Sequence, residues 1–530
     1  MRVKFSLRNP FCVLGVVVLW RVVMLVFTGQ PIPANDAFYF DGAMGNWLRH
    51  GEYFNPSIAL VFPISGQQVF SAYPPGYQVA LFFWMHLFGS SLISSMALHV
   101  AMFAVAGWLT VLVVKKYFPA ATNYALVPLL FFAFTFDDRP EGLAHLFGML
   151  ALLLVGKIIL RGVSGWTLAG LTLALLATLL TSCIPGALYF GAGFLALAMA
   201  WLKNRKLFPF VPFFMAAFLF AGIVFAVAKL EPLWWAGFQE NAAQQPVANL
   251  GVHAPTALDL VKLVRTAPVF LLAAGLLPWL LARRREMFSV TEPWLALVGG
   301  IFVMGCVVLV ADVTVLASSY VGHILFMQVV LAAGLLALGG KFFPAGGQAL
   351  RLALLGCVLL ASVRAVGMTT WGVACAWQHS RQSAAAVVRA EFAPLVLTNG
   401  PVFLSSAFLF TAAELDVTNA ISADWYFDHA HWTNNADVLA LLRVHPQKLV
   451  LTQFDYYRSF VIPLAKLERR PDLVAIRRRD LAAVRTPDAI PSMQRVVQHI
   501  SWAPVIVDLD WKFPAASVPF AADKKLSDGF

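Results

Sequence analysis

Residues 136–161 read FDDRPEGLAHLFGMLALLLVGKIILR and contain, in this order, an acidic turn, a long apolar run and two basic residues. The apolar run, 142–160, is long enough to cross a lipid bilayer, which takes roughly 17 to 25 residues of helix. Lys157 and Arg161 lie at its far end, as expected for the cytoplasmic side, where Lys and Arg accumulate. The stretch predicts a membrane-spanning helix that begins at an acid-bearing outer loop.

The whole chain has the composition of a polytopic membrane protein. Of its 530 residues, 60% are apolar and 12% are charged, and the mean hydropathy is +0.75. Soluble domains are about half apolar and about a quarter charged. These values exclude a soluble enzyme, a disordered chain and a coiled coil. The five cysteines have neither metal-ligand spacing nor the pattern of a disulfide framework.

Eleven apolar runs are long enough to span the bilayer, and a shorter twelfth run, 76–90, follows Pro74 and Pro75. Residues 1–27 have a basic start but no clear cleavage site, so we expect a retained first helix rather than a signal peptide. The eleven runs are residues 11–27, 94–114, 119–136, 142–160, 165–181, 184–202, 208–228, 267–282, 292–311, 320–338 and 349–372.

The basic clusters between these runs predict the topology. If 76–90 does not cross the membrane, every cluster falls on one side, whereas a crossing would separate the first cluster from the others. We therefore interpret 76–90 as a juxtamembrane or re-entrant segment on the outer side, which leaves eleven spans, a cytoplasmic N-terminus and an outer C-terminus. The clusters are Arg2/Lys4/Arg8, Lys115/Lys116, Lys157/Arg161, Lys203/Arg205/Lys206, Arg283/Arg284/Arg285 and Lys341/Arg351.

The same topology sorts the acids. Of the twelve Asp and Glu residues in 1–375, only Glu286 and Glu292 fall inside. The others concentrate in three outer loops, 29–75, 137–141 and 229–265. The net charge of +11 is therefore an orientation signal, and we expect no nucleic-acid partner.

The composition changes after Trp371. Residues 376–530 contain 16 Lys and Arg and 15 Asp and Glu, as a soluble domain would. The sequence thus predicts an all-α membrane bundle in 1–375, with outer juxtamembrane helices, followed by an outward-facing α/β domain in 376–530. The β-rich runs are Leu395–Thr398, Val402–Leu404, Lys448–Thr452 and Val505–Val507, and the helix-like stretches are Arg381–Glu391 and Asp437–Leu442.

The first outer loop opens with an acid-bearing amphipathic segment, Asn35 to Asp41. A helix that starts at Asp36 would place one apolar stripe in lipid or against protein. Asp36 is either the N-cap of this helix or a catalytic acid near the membrane surface. Asp41 lies roughly 140° around the helix and need not share its site. The stripe is Ala37, Phe40, Met44, Trp47 and Leu48.

The second outer loop holds Asp137, Asp138, Arg139 and Glu141, and such charges at a membrane boundary are functional by default. The alternative is structural: Asp138 and Glu141 have capping-box spacing, and Arg139 would neutralise Asp137.

In the third outer loop, Lys262 and Arg265 lie three residues apart against the positive-inside trend. A lipid phosphate would explain them, and so would a pair whose charged ends reach to the interface. His323, at the outer end of another span, is either a site residue or a satisfied polar contact.

The order of these motifs resembles the GT-C glycosyltransferases, integral membrane enzymes that use polyprenyl-phosphate-linked sugars. The resemblance covers residues 1 to about 375 and is carried by the juxtamembrane acid, then Tyr73-Pro74-Pro75-Gly76-Tyr77, then the Arg139-Pro140-Glu141 loop. The most similar members are the bacterial aminoarabinose transferase and the protein O-mannosyltransferases, which implies a bacterial inner-membrane enzyme.

The resemblance implies roles for individual residues. Asp36 matches the first-loop acid, a general base or acceptor-orienting group, and the second-loop acids are matched by Asp138 or Asp137 and by Glu141. Ala37 stands where many members have Glu, and Tyr73 where some have Lys, so donor-phosphate binding falls to residues elsewhere. The candidate catalytic residues are Asp36, Asp138 and Glu141, and the candidate substrate-binding residues are Asp41, Tyr73, Asp137, Arg139, Lys262, Arg265 and His323.

The expected reaction is an inverting sugar transfer at the outer face, from a polyprenyl-phosphate donor to a lipid, glycan or protein. The expected partners are this donor, the acceptor and membrane lipids. The resemblance does not establish a metal, but acid-rich loops suit Mg²⁺ or Mn²⁺, so a divalent cation is the candidate cofactor. The alternatives are a polytopic transporter and a non-catalytic membrane scaffold with an outer binding domain.

Overall fold

Within its described residues, the protein is mostly helical, with one small β-sheet near the C-terminus. The computed structural model describes residues 9–28, 35–71, 74–119, 140–203, 210–244, 261, 263–264, 267–282, 294–314, 324–342, 348–357, 386, 388–391, 402–417, 419–423, 446–452, 456, 473–480 and 504–512. The helices before the sheet are α1 (Pro10–Thr28), α2 (Asn35–His50), α3 (Pro63–Gln67), α4 (Gly76–Phe88), α5 (Leu92–Tyr117), α6 (Glu141–Arg161), α7 (Gly165–Thr181), α8 (Cys183–Lys203), α9 (Val211–Leu230), α10 (Pro232–Gln244), α11 (Pro268–Ala282), α12 (Trp294–Thr314), α13 (Leu325–Phe342) and α14 (Gln348–Cys357).

Six helices of the described part, α1, α5, α6, α8, α9 and α12, are long and apolar enough to cross a membrane. Their most apolar windows have mean hydropathies of 1.7 to 2.5, and the chain is an integral membrane protein. Four shorter apolar helices, α7, α11, α13 and α14, fall on further predicted runs. The run 119–136 lies almost wholly outside the described residues, so the count of eleven spans stays a prediction.

The bundle has one basic end. Lys115, near the end of α5, places its Nζ 5.5 Å from the ring centre of Phe11, at the start of α1. Lys116 lies close enough to Arg161 and Lys157, at the end of α6, for their charges to interact. Two basic clusters of the sequence, Lys115/Lys116 and Lys157/Arg161, therefore lie together at this end of the bundle, beside the start of α1.

The opposite end of the bundle, the loop end, holds α2, α3 and α4 with the starts of α5 and α6. One apolar cluster joins Tyr39 of α2, Tyr77 of α4, Met102 of α5 and Leu143 of α6. Both ends of α4 lie here, because the Trp84 indole donates to the carbonyl of Ser94 at the start of α5 (2.8 Å). With 13 residues, α4 is about 20 Å long, too short for a hydrocarbon core of about 30 Å. The length of α4 fits the predicted juxtamembrane segment better than a membrane span.

The helices approach one another closely where a glycine faces a neighbour. A Cβ on Gly300 of α12 would lie 2.3 Å from the carbonyl oxygen of Ala192 in α8, and one on Gly148 of α6 would meet the Tyr189 ring at 2.2 Å. Small residues of this kind let helix backbones pack in the membrane, where van der Waals contact is a main source of association.

The C-terminal sheet has the strand order β2-β1-β3-β5-β4. The strands β2, β1 and β3 are parallel to one another, and β5 runs antiparallel to β3 and β4. The sequence predicted β1, β3 and the core of β5 but missed α15, β2 and β4. The elements are β1 (Val402–Leu404), α15 (Ser406–Glu414), β2 (Ala420–Ser422), β3 (Lys448–Thr452), β4 (Leu473–Asp480) and β5 (Pro504–Trp511).

The strand β4, which the sequence did not predict, is an edge strand. Its charged residues interrupt the apolar alternation by which a strand is recognised. Arg479 pairs with Asp508 of the neighbouring strand β5 (2.9 Å) and with Glu391 (2.8 Å). Lys448 of β3 also reaches Glu391, at 2.8 Å. These bonds lower the pKa of Glu391, the Arg479 hydrogen bond contributing most. Charged side chains on an edge also prevent further strand pairing.

The sheet region contacts the loop end of the bundle through α2. The rings of Phe38 in α2 and Phe410 in α15 meet edge to face, with centroids 4.8 Å apart. At the other end of α2, the Nε2 of His50 lies 3.7 Å from a carboxylate oxygen of Asp416. The C-terminal region and the first predicted outer loop therefore lie at the same end of the bundle.

The close approach at Gly300 predicts a specific sensitivity. A methyl group there would push α12 away from α8, so we expect Gly300→Ala to lower the free energy of unfolding by roughly 1 to 3 kcal/mol. A Cβ at Gly222 of α9 would meet nothing within 4 Å, so Gly222→Ala should be neutral or slightly stabilising. The apparent unfolding temperature in detergent measures both, and equal values for the two variants would contradict the packing.

Candidate functional site

The first-loop helix begins where the sequence predicts it, within one residue. Since α2 runs from Asn35 to His50, Asp36 lies in its first turn. A negative charge there is favoured by the helix dipole. The side chain of Asp36 lies outside the described atoms. In the predicted stripe, Phe40 and Met44 are buried, and Trp47 stacks on Phe82 with centroids 5.0 Å apart, so this part of the stripe packs against protein.

Asp41 lies at the centre of a buried polar network. Its side chain is 1% exposed, and the Tyr77 hydroxyl donates to Oδ1 at 2.9 Å while the Ser95 hydroxyl donates to Oδ2. The Tyr77 oxygen also lies 3.3 Å from Nε2 of His99. Burial raises the pKa of Asp41 to about 6, although the hydrogen bonds from Ser95 and Tyr77 oppose the rise. The network joins α2 to α4 and α5.

The Tyr-Pro-Pro-Gly-Tyr motif sets the start of α4. Pro75 is the N-cap residue, and a Cβ on Gly76 would lie 2.8 Å from the carbonyl oxygen of Leu180 at the end of α7. Only a glycine permits this approach of two backbones. The next residue, Tyr77, is the hydrogen-bond donor to Asp41. The motif therefore fixes α4 against α7 and against α2 at once.

Asn55 supports α2 from the loop that follows it, and the sequence analysis missed it. Its amide nitrogen donates to the carbonyl oxygens of Phe38 (2.9 Å) and Tyr39 (3.1 Å), and its oxygen accepts from the Ser57 hydroxyl at 2.7 Å. The sequence signal for this turn is the Asn55-Pro56 pair, since Asn-Pro favours the start of a turn. The long-range contacts with α2 have no local signature.

The third predicted outer loop meets the first one through α10. The Glu240 carboxylate accepts from the amides of Ile64 and Ser65, both at 3.2 Å, at the N-terminus of α3. Burial raises the pKa of Glu240, although these two amides oppose the rise. Asn241 accepts from the Tyr39 hydroxyl and donates to the carbonyl of Ser71 at 3.0 Å. Asn241 was also missed, because its partners are far away in sequence.

Glu141 is the second-loop acid that the structure describes. It is the first residue of α6, and Pro140 is the N-cap, without a side-chain capping bond. A capping box would place its Glu three residues after the cap, so this helix start does not have that geometry. Glu141 is 6% exposed and lies one turn before His145, whose Nδ1 is 2.9 Å from the Tyr189 hydroxyl. A buried polar face thus runs into α6 from the loop end.

The structure brings Glu141, Asp41 and the helix of Asp36 to the loop end, beside α10. The other candidate site residues lie outside the described residues. They are Tyr73, Asp137, Asp138, Arg139, Lys262, Arg265 and His323. Within the described part of the chain, no three His, Cys, Asp or Glu side chains are arranged to hold a metal ion. The acids on which a Mg²⁺ or Mn²⁺ site would most depend are among those not described.

No protein-family model matches the sequence, and no curated protein is significantly similar to it. The solved structures that are similar over most of the chain include those of ArnT and AglB. ArnT from Cupriavidus metallidurans, bound to undecaprenyl phosphate, is 13% identical with a TM-score of 0.46, and the match covers 93% of this chain and 97% of ArnT. The oligosaccharyltransferase AglB from Archaeoglobus fulgidus, in complex with an inhibitory peptide and a dolichol-phosphate, is 11% identical with a TM-score of 0.46, and the match covers 84% and 70%. Both are of the GT-C type.

The burial of Asp41 predicts a pH-dependent stability. Its pKa is about 6 in the folded protein against an ordinary value of 3.8, so between these values the folded protein holds a proton that the unfolded chain has lost. The contribution of Asp41 to the free energy of unfolding therefore falls as the pH rises through this window, by about 3 kcal/mol, and stays low above it.

An asparagine at this position removes the charge and keeps an acceptor for Tyr77. We expect Asp41→Asn to raise the apparent unfolding temperature in detergent at about pH 7.5, and the gain to shrink as the pH is lowered towards about 5. Glu231→Gln changes an exposed acid and serves as the control. A variant that is less stable than the wild type at the higher pH would contradict the cost assigned to the buried charge.

Proposed function

We propose that the chain is a membrane glycosyltransferase of the GT-C type, which moves a hexosyl or pentosyl group from a polyprenyl-phosphate donor to an acceptor at the outer face of the membrane. The acceptor is a lipid, a glycan or a protein. In this proposal residues 1–375 form the catalytic membrane domain, and residues 376–530 form an outward-facing α/β domain that covers the site and helps to select the acceptor.

The observation that carries the proposal is the meeting of three acid-bearing loops at one end of the bundle. The helix of Asp36, the start of α6 at Glu141 and the helix α10 all contribute to this end. These loops are far apart in sequence, and gathering their acids at one end has an electrostatic cost that a shared site would explain. The motif order that resembles the GT-C enzymes lies in the same three segments.

The transfer reaction requires a base, a leaving group and residues that offset the charge on the leaving group. Asp36 accepts a proton from the acceptor hydroxyl, or orients it, as the oxygen attacks the anomeric carbon and inverts it. The bond to the polyprenyl phosphate breaks with its electron pair on the phosphate, and Lys262 and Arg265 offset the growing charge. Glu141 and the second-loop residues Asp137, Asp138 and Arg139 hold the sugar and the loop.

The remaining candidates bind substrate at the edges of this site. Tyr73 precedes the Pro-Pro pair, and His323 lies at the outer end of its predicted span. The donor chain lies in lipid between helices, so the reacting phosphate is presented at the membrane surface. A divalent cation, Mg²⁺ or Mn²⁺, is the candidate cofactor, held by loop carboxylates.

The rival functions predict different charge distributions. A transporter would carry its ionisable groups near the middle of the membrane, facing a substrate path. A scaffold would tolerate loss of the loop acids. The acids of this chain are concentrated in loops, and Glu141 is buried at the mouth of a helix bundle. This arrangement favours an enzyme.

The test is the lipid-linked sugar profile of a strain that lacks the gene. We expect one polyprenyl-phosphate sugar to accumulate, and the wild-type chain to clear it. Asp36→Asn and Glu141→Gln should leave it uncleared at normal protein levels, because loss of a group that acts in the transition state typically costs about 100-fold or more in rate. Glu231→Gln, an exposed acid at the loop end, is the matched control and should clear it.

Two results would contradict the proposal. The first is a deletion strain in which no polyprenyl-phosphate sugar accumulates and no acceptor goes unmodified. The second is clearance at the wild-type rate by Asp36→Asn, which would leave Asp36 with a structural role alone.

A further inference from the structure

The turn of α2 directly after Asp36 is hydrogen-bonded to three neighbouring segments. Most of these hydrogen bonds are made by neutral amide side chains. Neutral amides form hydrogen bonds of this kind without the cost of a buried charge. The hydrogen bonds run from Asn55 Nδ2 to the carbonyl oxygens of Phe38 (2.9 Å) and Tyr39 (3.1 Å), from Gln78 Nε2 to the carbonyl oxygen of Phe40 (3.1 Å), and from Tyr39 OH to Asn241 Oδ1.

Asp41 differs from these residues, because it forms its hydrogen bonds with a carboxyl group. The side chain is 1% exposed, and it accepts from the Tyr77 hydroxyl at Oδ1 and from the Ser95 hydroxyl at Oδ2. These two hydrogen bonds favour the ionised form but do not offset the cost of burying it, since the pKa of Asp41 still rises to about 6. An ionisable group that is costly to bury points to a use for its charge.

The charge of Asp41 lies within electrostatic reach of Asp36. The two residues are five apart on one helix, so their Cα atoms are about 9 Å apart. A buried carboxylate at that distance favours the protonated form of its neighbour and so makes it a stronger base. The hydroxyls of Tyr77 and Ser95 hold the charge in place.

We propose that Asp41 is a positioning residue for the transfer reaction: its buried carboxylate, held by Tyr77 and Ser95, acts through Asp36 and increases the ability of Asp36 to take the acceptor proton. This inference rests on the proposed function and assigns Asp41 no contact with substrate. It replaces the expectation that Asp41 binds substrate directly.

Among the described residues, few groups face Asp41. Tyr77 comes from α4, and Ser95 and His99 come from α5, with the Tyr77 oxygen between Asp41 and His99. In the part of the chain that the structure describes, no Lys, Arg or His nitrogen lies within ion-pair distance of Asp41. The pKa of Asp41 therefore depends on burial and on these hydroxyl donors. Substitution of a single donor should shift this pKa.

The experiment uses full-length protein in nanodiscs, supplied with the membrane lipid extract of the deletion strain, and follows loss of the accumulated lipid-linked sugar by mass spectrometry. We expect Asp41→Asn to lower the maximal rate roughly five- to twentyfold, while the amount of extract that gives half the maximal rate stays the same. A merely structural role would instead lower stability and rate together, whereas Asp41→Asn should be at least as stable as the wild type.

The pH profile gives a second, independent result. The wild-type rate should fall as the pH is lowered through about 6, where Asp41 takes up a proton. Ser95→Ala and Tyr77→Phe each remove a hydrogen bond that favours the ionised form, so each should move this midpoint upward by roughly half a unit to one unit. In Asp41→Asn this limb of the profile should be absent.

The outcomes separate this inference from the proposed function. If the wild-type protein consumes no lipid-linked sugar, the proposed function itself is wrong. If the wild type is active and Asp41→Asn has the wild-type rate, the inference is overturned. It is also overturned if the midpoint stays unchanged in both Ser95→Ala and Tyr77→Phe, and this result applies even if Asp41→Asn fails to fold.

Discussion

The structure depends on the fixation of one short amphipathic helix, α2, between the membrane bundle and the C-terminal sheet region. On the bundle side, Asp41 is hydrogen-bonded to Tyr77 of α4 and Ser95 of α5. On the other side, Phe38 packs edge to face on Phe410 of α15. An interfacial helix of this length would not be stable alone in water. Its position is therefore set by tertiary contacts with α4, α5, α10 and α15.

The charges of the chain are separated along the bundle in a way that serves both insertion and chemistry. Lys116, Lys157 and Arg161 neighbour one end, and Asp41, Glu141 and Glu240 lie at the other. Positive residues at one end orient the chain in the membrane. The acids at the opposite end are partly or wholly buried, which is costly, and such costs are usually accepted where a site needs them. The same separation thus supports a site at the loop end.

The membrane helices could be predicted from sequence because lipid imposes a strong and local constraint. Apolar runs such as 142–160 and 165–181 coincide with α6 and α7 to within a residue. The start of α2 was also predictable, since its apolar stripe has helical spacing. The contacts of Asn55 and Asn241 were not, because their partners lie far away in sequence and an isolated Asn carries no periodic signal. The edge strand β4, with three consecutive arginines, lacks the apolar alternation by which half-buried strands are recognised.

The central claim is that the loop end and the C-terminal sheet region share the outer face of the membrane. Single-cysteine labelling of intact cells, with the five native cysteines replaced, tests it at exposed positions of the described structure. Cysteines at Glu52, after α2, and at Val474, in β4, should react with a membrane-impermeant reagent, and one at Lys116 should react only after the membrane is opened. Labelling at position 116 in intact cells, or protection at 474, would contradict the topology and the placement of the site.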